Sequence, residues 1–384
     1  MFVYWAMMLS IAGMYTMYIV QAGFSRKEIS IAVTLFTVSS LVGQSIIGYI
    51  ADRFKFVKKI LLISISAGII ATAALIFTKE NWCIYIMISL WGLFLYGTIP
   101  LSEAWYIEAL KANGTQNDFG KIRGFGSVGY GISGVLLGLL LQNIGWSIYF
   151  WYIFLSACFV LLAILMMADN KGIALYKGSD GRKGDSGDIS FKSALHEIVR
   201  IKSLRFIIII VFIYNFVMKG IYSYLGVLVS DFGGGPLSLG LTYFFDATPE
   251  VVTFFLTTRL LSKYRSKELI FTAFILQIVR LSLILVFNSS LSIILLGSLS
   301  GFAYGLLATA YKTYIYELAP DKYKISCLSL SESIIGLAGV FSAPVFGFII
   351  MKFGGYTSIV IGLSIVMAAA VFMALNIYSE RRKA

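Results

Sequence analysis

Lys219, Asp246, Glu250, Arg280 and Lys312 each lie inside an apolar run about as long as a membrane span. A charge at mid-bilayer costs about 2.5–3.5 kcal/mol on insertion scales, so such residues turn inward and find partners. Asp246 and Glu250 are four residues apart and share a helical face. A buried carboxylate whose cationic partner can leave or return changes its grip on a proton. Acids and bases buried together can therefore carry a proton or receive a charged group of a solute. Lys219, Asp246, Glu250 and Arg280 fall at similar depth and can neutralise one another, as a static ion-pair network or, the favoured reading, as a coupling or substrate-charge site. Tyr15, Gln44, Asn215, Gln277 and Tyr304, with Tyr222 and Tyr311, add phenols and amides suited to hydroxyl-rich or heteroaromatic ligands. Nothing in the sequence resembles a catalytic constellation: there is no HExxH, and the single histidine, His196, lies in a polar loop. Cys83, Cys158 and Cys327 lack CxxC spacing, and the glycines from Gly124 to Gly138 lack a Gly-Lys-Ser/Thr ending. A non-enzyme without metal or cofactor is expected.

The elements that must position these residues follow from composition. The 384 residues are 59% hydrophobic and 13% charged, against about 25% charged in soluble domains. Twelve apolar runs lie near 2–21, 29–51, 60–78, 82–110, 121–142, 147–168, 204–230, 237–258, 268–287, 291–317, 326–353 and 356–377. None alternates with period two, which excludes an outer-membrane barrel. Of the 31 Lys and Arg, only Arg26, Lys27, Lys79 and Lys352 fall on the outer side, and only Lys219, Arg280 and Lys312 within spans. The rest lie on the side that then must be cytoplasmic. A multi-pass protein of the cytoplasmic membrane is expected, both termini inside, monomeric, partnered by lipid. The net charge of +12 reports this topology; scattered over inner loops, it does not predict nucleic-acid binding. No basic stretch precedes the first span, so no cleavable signal is expected.

The longest polar stretch divides the spans six and six. The expected organisation is a bundle over 1–168, a linker over 169–203 and a second bundle with a basic tail over 204–384. Within the linker, Phe191, Leu195, Ile198 and Ile201 share one face of a short amphipathic helix. An offset of 209 aligns the halves without a gap. Leu90 falls on Leu299, Gly92 on Gly301, Trp105 on Tyr314, Glu108 on Glu317, Ser133 on Ser342, Gly138 on Gly347, Gly145 on Gly354 and Lys58 on Lys267. Parallel repeats of this kind belong to transporters with a solute site near the midplane. The same offset sets Glu103 on Lys312 and Arg123 on Glu332. Each half should thus hold one ion pair, acid then base in the first and base then acid in the second.

After the second span the chain reads Gly48-Tyr-Ile-Ala-Asp52-Arg53, followed by Lys58 and Lys59. This resembles the signature loop of the major facilitator superfamily, with Lys55 in place of its second glycine. The resemblance implies that these five residues serve conformational change. Physically, Gly48 would admit a close helix and Asp52 would face a helix N-terminus. Span 4 ends SEAWYIEAL and span 5 opens FGKIRGFGSVGYGISGVLLG. These are similar to the lactose-permease-like branch, which includes sugar and nucleoside proton symporters. That likeness implies an all-α fold of two pseudo-symmetric six-helix bundles, and a Glu103–Arg123 pair near the solute. FFDATPEVV and FILQIVRLS resemble the branch's buried carboxylate and arginine at Glu250 and Arg280, which favours Glu250 over Asp246. Where the branch has a histidine and glutamate in span 10, this chain has Ser300 and Ala303. The implied activity is proton-coupled uptake of a small polar organic solute, sugar- or nucleoside-like, by alternating access. The string Gly339-x3-Ala343-Pro344-x2-Gly347 in span 11 keeps a proton-coupled multidrug or metabolite exporter open as the alternative.

Overall fold

A computed structural model describes residues 1–54, 56–77, 80–112, 119–167, 197–320 and 323–382. Lys55, His196 and the linker from 169 to 196, with Phe191 and Leu195, lie outside the described residues, as does the side chain of Asp52.

Among the described residues twelve long helices are present, matching the twelve apolar runs. They are α1 (Phe2–Gln21), α2 (Arg26–Phe54), α3 (Val57–Phe77), α4 (81–112), α5 (Phe119–Ile144), α6 (Tyr149–Met166), α7 (202–231), α8 (Pro236–Lys263), α9 (Ser266–Phe287), α10 (Ser290–Leu318), α11 (324–353) and α12 (355–381). No strand occurs among the described residues. The helix starts and stops follow local chemistry. Ser25 and Glu28 form a capping box that opens α2: the Ser25 N–H and hydroxyl both donate to Glu28 Oε2, at 2.8 and 2.7 Å. Gly145 (φ 95°) and Gly354 (φ 84°) stop α5 and α11 in the left-handed region, where a side chain would be strained. At the described end of the linker, residues 197–200 are helical and Ile198 is buried.

The 209 repeat extends to contacts. Gly145 and Gly354, with their matching backbone, are 209 apart. Lys58 Nζ, at the start of α3, donates to the Met167 carbonyl at 2.6 Å, and to Leu165 O at 3.2 Å. Lys267, its repeat partner at the start of α9, donates to Asn376 Oδ1. Residue 376 is 167 plus 209, so each lysine ties one helix start to the equivalent position of the last helix in its bundle. The breaks of regularity are less symmetric. A π-helical turn at Leu9–Gly13 interrupts α1 and another at Trp91–Leu95 interrupts α4; α7 instead steps at Tyr224.

The chain divides into two compact units, Met1–Gly184 with Gly235–Phe244, and Asp185–Gly234 with Phe245–Ala384. The opening of α8 therefore belongs to the first unit. There the Tyr243 hydroxyl donates to the Gly13 carbonyl at 3.0 Å, and Gly240 packs against the backbone of Gly134. The division at Phe244 falls beside Pro249, which has no N–H to give the Phe245 carbonyl its helical hydrogen bond.

Close packing inside each unit runs through glycines one repeat apart. A Cβ on Gly92 would strike Ser39 Oγ and the Phe36 carbonyl of α2, and one on Gly301 would strike the Asp246 carbonyl of α8. Gly48 does not behave as expected. A Cβ there would meet nothing within 4 Å, because α4 crosses α2 earlier, at Gly43 against Leu93. Gly48→Ala should therefore leave the melting temperature of the detergent-solubilised protein unchanged. Gly301→Val should lower it by several degrees, since overpacking costs about 1–3 kcal/mol and here the obstacle is backbone. Equal melting for both variants would contradict the packing.

Candidate functional site

The first cluster lies in the first unit, where α4 and α5 meet. Arg123 Nε and Glu103 Oε1 are 3.4 Å apart, and Arg123 Nη1 donates to Ser127 Oγ at 3.2 Å. The guanidinium lies 4.1 Å over the Trp5 ring, a cation–π contact. Trp5 can lie this close to α5 because Gly126 has no side chain to meet it. Trp5 Nε1 is buried without a hydrogen-bond partner among the described residues. Nearby, the hydroxyls of Tyr4 and Thr98 are 2.8 Å apart.

The repeat-related pair forms in the second unit. Lys312 Nζ is 3.0 Å from Glu332 Oε1, and the Tyr311 hydroxyl donates to that same oxygen. Both pairs expected from the 209 offset are therefore formed, with opposite polarity. Lys219 of α7 belongs to this second pair. Its stem runs against Gly339 of α11, where a Cβ would be 3.2 Å from Lys219 Cδ, and Glu332 is the acid that acts on its charge.

A third cluster surrounds Arg280, whose side chain is only 4% exposed. Arg280 Nη1 donates to Gln277 Oε1 at 3.3 Å. The acid acting on it is Asp246. Asp246 Oδ2 accepts from Tyr222 at 3.4 Å, and Ser300 also bonds the carboxylate. The glycine contact at Gly301 is what brings Ser300 to α8. Asp246 Oδ1, Arg280 Nε and the Tyr214 hydroxyl are buried with no well-formed hydrogen bond among the described residues. Three unfilled polar atoms on neighbouring side chains suit a water or a ligand hydroxyl, which both donates and accepts.

The four mid-span charges divide between two clusters: Lys219 lies against Gly339 of α11 with Glu332 as its acid, while Asp246 of α8 is the acid acting on Arg280. Glu250 is half-buried one turn beyond Asp246, against the backbone of Gly301. The likeness in sequence favoured Glu250; the acid acting on Arg280 is Asp246.

The remaining candidates are dispersed. Tyr15 is buried, its ring 4.9 Å from Phe36. Gln44 is half-buried. Asn215 donates back to the Val211 carbonyl of its own helix at 2.9 Å, and Tyr304 is exposed. Arg53 is exposed and donates to the Tyr49 hydroxyl at 3.3 Å; Lys59 lies 4.7 Å from the Phe56 ring. Sequence reasoning missed Trp5 and Tyr214, although the offset that pairs Glu103 with Lys312 also pairs these two aromatics. Among the described residues no group of His, Cys, Asp and Glu could hold a metal ion.

The arrangement has relatives of known structure. The chain is similar to the nucleoside transporter NupG, with a TM-score of 0.76 at 15% identity, over 97% of this chain and 96% of that one. It is also similar to a D-xylose–proton symporter, with a TM-score of 0.67 at 14% identity over 97% and 94%. A bacterial homologue of the human lysosomal transporter Spinster gives a TM-score of 0.69 at 13% identity over 97% and 94%. No curated protein matches the chain. The model of the MFS_1 like family matches residues 1–341, and the chain, a multi-pass membrane protein of major-facilitator type, belongs to that family.

Proposed function

We propose that this chain is a secondary transporter rather than an enzyme, taking up a small polar organic solute, sugar- or nucleoside-like, in symport with protons by alternating access. The observation that carries the reading is the Asp246–Arg280 cluster at mid-span, a half-buried carboxylate and a buried guanidinium among hydroxyl and amide side chains, with valences left for an added proton or hydroxyl. NupG and the xylose–proton symporter, by their descriptions, carry a nucleoside and a sugar with a proton. The distribution of basic residues supports the cytoplasmic membrane with both termini inside. We further propose the division into bundles over 1–168 and 204–384 with a linker over 169–203.

The test is uptake of labelled sugars and nucleosides into proteoliposomes with an imposed pH gradient. For the solute that accumulates, Asp246→Asn should lower gradient-driven accumulation by about tenfold or more while solute exchange across the membrane persists, because exchange needs no net proton movement. Efflux of amphipathic drugs driven by the gradient, without sugar or nucleoside uptake, would overturn the reading.

A further inference from the structure

The cluster around Glu332 holds more positive charge than it neutralises. Lys312 is 3.0 Å from the carboxylate, and the Tyr311 hydroxyl already occupies the same oxygen. Lys219 is the second cation there. It lies at mid-span on α7, half-buried against Gly339, and it makes no ion pair within 4 Å and no hydrogen bond among the described residues. Asp246 acts on Arg280, and Glu250 lies on α8 against α10; neither is the acid that acts on Lys219. Glu332 is thus the one acid acting on two ammonium groups, Lys312 in contact and Lys219 beyond ion-pair distance, and one positive charge is left over. At mid-span a cation left without a counter-charge is costly unless a polar cavity or a ligand meets it.

The geometry points to Lys219 as the anchor for a single carboxylate on the transported solute, so that the substrate class is a sugar acid or a carboxylated nucleoside rather than the neutral parent. This rests on the transporter reading above and narrows its substrate. The charge count chooses among anions. One carboxylate brings the cluster to neutrality, whereas a phosphate monoester carries about −1.5 to −2 at pH 7 and overshoots. Gly339 is part of the site. A side chain there would occupy the approach to the Lys219 ammonium, whose Nζ lies 4.0 Å from the added Cβ.

The experiment measures Kd on purified full-length protein by calorimetry for matched probes: D-glucose, D-glucuronate and glucose 6-phosphate, and uridine with orotidine, its 6-carboxylate. The wild type should prefer the carboxylate to the neutral parent by about tenfold or more, the usual worth of a charge-assisted hydrogen bond, and should prefer it to the phosphate. In Lys219→Gln that ratio should fall toward one, and Lys219→Arg should restore it. The wild-type ratios alone decide the matter if the glutamine variant does not fold. Binding of the neutral parent as tight as the carboxylate overturns the inference and leaves the transporter reading intact. An unchanged ratio in Lys219→Gln overturns it too. No binding of any probe removes the sugar- and nucleoside-like reading together with it.

Discussion

Arg280→Met is expected to cost the second unit about 3–5 kcal/mol, the range for removing one partner of a buried charged pair. Arg280 is 4% exposed and Gln277 2%, and a neutral water entering there would not replace the charge of the lost guanidinium. Asp246 would then keep its charge beside unfilled atoms, or take a proton permanently. Both routes lower the yield and melting temperature of the solubilised protein. Removing both charges should behave differently. Arg280→Met with Asp246→Leu replaces a charged pair by apolar groups of comparable bulk, and such replacements are often neutral. The double variant should therefore melt well above the single one, with a coupling energy of about 1 kcal/mol or more in the cycle. It should also lose gradient-driven accumulation, since neither titratable group remains. Additive effects of the two substitutions would show that Asp246 and Arg280 do not act on each other.

Much of this arrangement was legible in the sequence, for physical reasons that also mark where reading stops. Span count follows from the length of the apolar runs, which lipid enforces on every span. The Glu103–Arg123 pair was legible from the likeness of spans 4 and 5 to a known branch, and the 209 offset of a duplicated chain carried it over to Lys312–Glu332. The partner of Arg280 was not legible. Asp246 and Glu250 are one turn apart on the same face, and their roles are separated by the crossing of α10 at Gly301, a tertiary contact that no local pattern encodes. Lys219 failed to join Asp246 for a similar reason: depth in the membrane is readable from position along a span, but rotation about the helix axis is set by neighbours. Gly48 shows the converse. A motif glycine was read as a packing site, yet the close approach falls at Gly43, because the crossing point depends on the broken geometry of α4 at Trp91–Leu95. Such π-helical turns have no sequence signature.

The two repeat-related ion pairs should respond differently to reversal of their charges. In the first unit, Glu103→Arg sets two guanidinium groups near each other, and Arg123→Glu sets two carboxylates. At about 4 Å and an effective dielectric of about 20 the repulsion is about 4 kcal/mol. Glu103 and Arg123 are 33% and 21% exposed, so screening reduces the cost to about 1–2 kcal/mol. Lys312 and Glu332 are 51% and 40% exposed, and reversal of either should cost less than about 1 kcal/mol. Combining the reversals separates charge from geometry. Lys312→Glu with Glu332→Lys rebuilds the attraction, and its melting temperature should return most of the way to that of the wild type, short by the Tyr311 hydrogen bond and the Lys219 contact that Glu332 supplied. Glu103→Arg with Arg123→Glu cannot return fully, because the Trp5 ring, 4.1 Å from the guanidinium, would then face a carboxylate. A cation over an aromatic face is worth about 0.5–2 kcal/mol, and an anion there is repelled. Melting of the four single and two double variants, with solute uptake beside it, measures both effects. Full recovery in the first unit would mean that Trp5 contributes only packing; no recovery in the second would mean that Lys312 and Glu332 hold each other by their particular shapes, not by their charges.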